Sequence, residues 1–142
     1  MSHNLKQYLL HTLRLTPVFM FPLLIAMLAQ YALADGGGCS RFRDGNTCIT
    51  VKGNGLNVNS VLGYFTKRTP LCNWRYDIAY VHEITNDTYM TVTGSTKRGC
   101  HLRGYLPVTY TPYLNIRPSK VCARLYENNG SYVDAACVHV FQ

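Results

Sequence analysis

The residues able to move a proton near neutral pH are few and scattered. His82, His101 and His139 lie far apart in the chain, and none belongs to an H-x-H or H-E-x-x-H metal motif. His82 and Glu83 are adjacent, so on a strand their side chains point to opposite faces. A small secreted ribonuclease or toxin would need a general acid, a general base and a cationic clamp for the phosphorane. Glu83, His101 and Arg103 are the residue types required, but their spacing does not itself bring them together. No G-x-S-x-G elbow is present. The six cysteines stand at gaps of 9, 24, 28, 22 and 15. No C-x-x-C pair occurs among them, so they read as a disulfide framework rather than a metal site. Bridged cysteines leave no thiol nucleophile. The sequence assigns no catalytic residue, no metal and no cofactor.

Binding is better served. From Thr88 to Tyr126 the chain runs 39 residues without Asp or Glu. The same stretch carries Lys97, Arg98, Arg103, Arg117, Lys120 and Arg124, interleaved with Tyr89, Tyr105, Tyr110, Tyr113 and Tyr126. Local positive charge attracts acidic polymers, cell-wall material or acidic protein surfaces. Tyrosine supplies flat apolar contact at low entropic cost. The candidate binding set is therefore Lys97, Arg98, Arg103, Tyr105, Tyr110, Tyr113 and Arg117, with the tyrosines expected to lie coplanar on an exposed face. The alternative is a solvated basic face with its tyrosines half-buried in a sheet. Nucleic acid is disfavoured as a partner, because the charge is modest and no recognised motif is present. Pro107, Pro112 and Pro118 also admit a protease-inhibitor reading, with a rigid loop as bait.

These residues need a scaffold, and a compartment that builds it. Lys6 and Arg14, with His3 and His11, precede 20 uncharged residues from Leu15 to Ala34. Ala32-Leu33-Ala34 then supplies the small-x-small pattern of a signal-peptidase site before Asp35. The expectation is a cleaved signal peptide at 1–34 and a secreted domain at 35–142, with no stable membrane span after cleavage. Cleavage removes two basic residues and no acid, leaving 12 basic against 7 acidic, net +5. An exported chain meets oxidising conditions, where three disulfides are expected.

Turn chemistry narrows the pairing. Asn129-Gly130 is a strong hairpin signal, and a two-residue loop there sets Cys122 opposite Cys137, at a hydrogen-bonded position with Cα atoms ~5.5 Å apart. A hairpin around Asn86-Asp87 leaves Cys72 and Cys100 one residue out of register, within reach of one bulge. Elimination leaves Cys39 with Cys48, tying a Gly-rich leader (35–44) to the first strand. A loop at Asn54-Gly55 would oppose Val51 to Val58.

Trp74–Glu83 alternates with period two. Trp74, Tyr76, Ile78, Tyr80 and His82 share one face, as in a half-buried central strand, and Trp74 is expected in the core. Thr88–Thr93, Lys120–Glu127 and Tyr132–Phe141 read as further strands. The prolines between Tyr105 and Ser119 remove ladder donors, so that stretch is an extended loop or an edge strand. Short strands, Gly/Asn turns and no helical period indicate a small antiparallel β-sandwich or barrel braced by three disulfides.

The segments Cys48–Phe65, Cys72–Glu83 and Val121–Val140 resemble a loose group of small secreted actinobacterial proteins with a Cys-Asn-Trp-Arg-like element and a closing Cys-hairpin-Cys. The resemblance implies secretion and a disulfide-braced β-domain, with no established activity and no catalytic residues to carry over. The expected function is a non-enzymatic extracellular binding module for an anionic or cell-surface partner. The sequence is silent on oligomeric state.

Overall fold

The computed structural model describes residues 36–128 and 130–141. The expected signal segment 1–34, its cleavage point before Asp35, and Asn129 of the closing turn lie outside the described residues. The described chain is all-β: β1 (Gly36–Phe42), β2 (Gly45–Asn54), β3 (Asn57–His82), β4 (Thr88–Thr93), β5 (Lys97–Asn115), β6 (Ser119–Glu127) and β7 (Ser131–Val140). Every pairing is antiparallel.

The organising element is β3, 26 residues long. Its first part pairs with β2 and β5, and its second part with β4 and β6. Between Thr66 and Leu71 its ladder to β5 breaks, where Pro70 has no N–H to give. There the strand passes from one leaf of the sheet to the other. The leaves fold face to face: a Cβ on Gly63 of β3 would come within 3.0 Å of the Ala123 Cβ on β6. β1 on β2 and β7 on β6 then meet at the rim. Gly36 lies against Val138, Gly38 against the Cys137 carbonyl, and Ser40 Oγ donates to Asp134 Oδ1 at 3.1 Å. The sheet thereby nearly closes into a barrel, which shields the edge of β1. The Gly-rich leader is thus a paired strand rather than a strap, and its missing side chains let it approach β7.

Alternation explains the core. Ile49 and Val51, Val61 and Phe65, Val121, Ala123 and Leu125, and Val138 and Val140 all turn inward and are buried. Trp74 joins them, 5% exposed, edge-on to Phe65 at 5.1 Å. The second part of β3 is covered on both faces rather than half-buried. Ala79, Val81 and Cys122 form a small buried group on the side away from Trp74, where Ala79 opposes the bridged Cys122.

The three disulfides are Cys39–Cys48, Cys72–Cys100 and Cys122–Cys137, as expected. The registers around them differ from the simple hairpins. Glu127 opposes Ser131, so the closing loop has three residues, and a shift between Leu125 and Tyr126 restores the pairing of Cys122 with Cys137. That bulge also changes the ladder's phase: the Cα atoms stand 4.1 Å apart, the closer spacing of a non-hydrogen-bonded pair. In the β2–β3 hairpin Asn54 opposes Asn57 and Val51 opposes Val61. Gly55 takes the first turn position with φ 55°, where glycine bears no steric penalty. At the β3–β4 turn Val81 opposes Thr88, and Asn86, at φ 60°, donates its N–H to the His82 carbonyl.

Two core tyrosines have hydroxyl partners. Tyr76 meets Thr47 Oγ1, and Tyr80 lies 2.6 Å from the Tyr110 hydroxyl. Burial raises both pKa values well above the ordinary tyrosine range. A phenol whose folded pKa is raised keeps its proton when the unfolded chain has lost its own. Its contribution is therefore intact below about pH 10, the unfolded value, and declines as pH rises beyond that. Stability is expected to fall steeply above this point. Tyrosinate absorbance from Tyr76 and Tyr80 should appear only with unfolding, so the full tyrosinate signal should not be reached before the fold is lost. The full signal preceding unfolding would contradict this burial.

Candidate functional site

In an antiparallel ladder, directly opposed residues project from the same face. Following the registers across the first leaf gives one continuous row: Arg41 opposes Asn46, Asn46 opposes Thr66, and Thr66 opposes Arg103. All four are exposed. Two residues along, the Cys39–Cys48 bridge lies beside Tyr64, which opposes Tyr105. The following rows bring Gly37, Thr50, Leu62 and Pro107, then Lys52, Ser60 and Thr109. Tyr105 is 69% exposed and Leu62 36%. These positions include no carboxylate. The outer face of β1, β2, β3 and β5 therefore has an aromatic and apolar centre, two arginines at one end and a lysine at the other.

The arginine end has more positive charge behind it. Arg41, Phe42, Lys67 and Arg68 line an open cleft of about 540 Å³ with Asp44 and Asn46. Asp44 is engaged: its carboxylate accepts from Thr69 Oγ1 and stands 3.8 Å from Lys67 Nζ. Lys67 also lies over the Phe42 ring at 5.9 Å. Arg41 and Arg103 make no ion pair among the described residues, so their charge is available to a ligand.

The seven residues singled out in the sequence do not form one patch. β5 holds six of them and is 19 residues long, so they spread along the whole edge. Lys97 opposes Trp74, and Arg98 offers its carbonyl to His101 Nε2 at 3.1 Å. Arg103 and Tyr105 lie on the outer face just described. Tyr110 is corrected: it turns inward to Tyr80, and burial raises its pKa. The tyrosines are therefore not coplanar. Tyr113 is exposed at the far end, and Arg117 lies in the β5–β6 connection, next to Ile116, whose N–H bonds the Leu56 carbonyl. Sequence reasoning missed Arg41, Asn46, Lys52, Tyr64 and Thr66, which come from strands remote in sequence. Only the pairing registers reveal them.

The acid–base constellation is not assembled. Glu83 Oε1 lies 2.9 Å from Nδ1 of His139, whereas His101 opposes Leu71 near the middle of β3 and stands edge-on to Trp74 at 6.2 Å. The proline-containing stretch 105–115 belongs to β5 and pairs with β3 over 105–109 and 114–115, while 110–113, with Pro112, have no partner there. Among the described residues no group of three or more His, Cys, Asp or Glu is placed to hold a metal ion. No family model, curated protein or solved structure matches the chain.

Proposed function

We propose that the domain is an extracellular, non-enzymatic binding module that holds an anionic polymer or cell-surface partner against the outer face of β1, β2, β3 and β5. The observation that carries this reading is the row from Arg41 through Asn46 and Thr66 to Arg103, beside the Tyr64–Tyr105 pair, on a face without a carboxylate. The arginines supply attraction and the tyrosines flat contact. The net charge of +5 expected for residues 35–142 favours the same class of partner. Three disulfides in a small β-domain are compatible with export. The sequence pattern of residues 1–34 supports it.

Reversing both arginines, Arg41→Glu with Arg103→Glu, is expected to weaken binding to immobilised anionic cell-wall polymer. Exposed charges are individually worth up to about 1 kcal/mol. Two reversals therefore predict roughly a tenfold loss, largest at low salt, where screening is least. Both side chains are exposed, so the melting temperature should hardly move. Undiminished retention by the folded variant would remove the assignment of this face.

A further inference from the structure

The opposite end of the same face holds a second cleft. It has a volume of about 350 Å³ and is lined by Lys52, Gly53, Asn54, Asn57, Asn59 and Tyr113. Three strands build it. Lys52 and Asn54 come from β2, Asn57 and Asn59 from β3, and Tyr113 from β5. The register explains the recess. Ser60 opposes Thr109 but Val58 opposes Leu114, so residues 110–113 of β5 have no counterpart on β3. That extra chain bows out of the ladder and carries Tyr113 to the rim of the cleft, 63% exposed.

The lining has a definite chemistry. Each Asn amide offers two donors and an acceptor with two lone pairs, the complement of neighbouring hydroxyls on a sugar ring. Tyr113 presents an exposed aromatic ring, suited to the flat C–H face of such a ring. Lys52 is a point charge, and no carboxylate lines the cleft to oppose an anion. A bare polyphosphate would use the lysine and leave the amides and the aromatic ring without a task. A neutral sugar would leave the lysine without one.

We propose that this cleft is a subsite for one residue of an acidic, carboxylate-bearing glycan. The inference rests on the reading of the outer face as a polyanion-binding surface, and it names the polymer's class. The glycan's charge engages Arg41 and Arg103 at one end of the face. One of its sugar rings stacks on Tyr113 at the other, hydroxyls on Asn57 and Asn59 and carboxylate on Lys52.

The test is calorimetric titration of the disulfide-bonded protein with hexagalacturonate and, in parallel, with hexaphosphate. Tyr113→Ala and Asn59→Ala are each expected to weaken hexagalacturonate at least fivefold while leaving hexaphosphate within twofold. The double variant Arg41→Glu with Arg103→Glu should weaken both. Should both cleft variants bind hexagalacturonate like the wild type, or lose hexaphosphate equally, the subsite is refuted while the face survives. Should the arginine variant alone bind like wild type, the face is refuted and the subsite stands by itself. Failure of the wild type to bind either probe overturns both.

Discussion

Reduction of the three disulfides is expected to unfold the domain at ordinary temperature. The bridges close loops with sequence separations of 9, 28 and 15 residues. Chain entropy alone then assigns about 2.6 kcal/mol to Cys39–Cys48, about 3.6 to Cys72–Cys100 and about 3 to Cys122–Cys137. Together this is comparable to the whole stability of a typical domain, about 5–15 kcal/mol. A chain of roughly a hundred residues has a modest core to set against its conformational entropy. The bridges also differ in what they hold. Cys72–Cys100 clamps β5 to β3 in a short stretch bounded by register shifts at Thr66/Leu71 and Cys72/Trp74, so few neighbouring pairs support it. Cys122–Cys137 crosses a hairpin that is paired on both sides of it. The ranking is therefore Cys72–Cys100 first, and the pair Cys72→Ser with Cys100→Ser should lose about 3–4 kcal/mol in urea denaturation. A cooperative transition at unchanged urea midpoint in excess reductant would overturn the view that the bridges decide the stability.

The cysteine pairing was legible before the registers were. Cys122 and Cys137 flank a turn whose Asn and Gly residues demand a hairpin, and bulges moved the ladders without separating the sulfurs. The position of Trp74 was legible for a related reason: alternation over Trp74–His82 sets it on the more apolar of the strand's two faces. The β5 prolines correctly marked an edge. What the linear pattern could not supply was phase. The register shifts move strands by one residue or by three, and an odd slip exchanges a strand's faces. Tyr110 is a different case, since it stands five residues from Tyr105 and alternation alone puts it on the opposite face. It shares β5 with Tyr105 but points inward, where its hydroxyl meets Tyr80. Arg41 shows the complement. It stands sixty-two positions before Arg103 in the chain, yet two intervening strands set both arginines in one row. A surface assembled by register is invisible to a search for charge runs, because each of its four strands carries only a part of it.

One residue couples that surface to the core. Gly104 lies in β5 between Arg103 and Tyr105, opposite Phe65. On its inner side a Cβ would stand 2.3 Å from Trp74 Cζ2 and 2.6 Å from Phe65 Cε1. Both are rigid ring atoms packed edge-on, so no rotamer change at the tip of a flexible chain can relieve the clash. Gly104→Ala must displace the indole or lift β5 from β3. Overpacking of this kind costs about 1–3 kcal/mol and sometimes more, and the double clash places this substitution at the upper end. Trp74 is the chain's sole tryptophan, so its emission reports the outcome directly: a red shift and a lowered melting temperature are expected together. Gly37→Ala is the control, since its Cβ would meet nothing closer than the Ile49 carbonyl at 3.4 Å. Shortening the opposing ring with Phe65→Leu in the Gly104→Ala background should recover part of the loss, a coupling that two independent defects would not show. Because Arg103 and Tyr105 hang on the strand that Gly104 lets down onto Trp74, the alanine variant should also bind polyanion more weakly at temperatures where it remains folded. Native emission, unchanged melting and full binding in Gly104→Ala would mean that β5 does not rest on Trp74, and the row from Arg41 to Arg103 would lose its foundation.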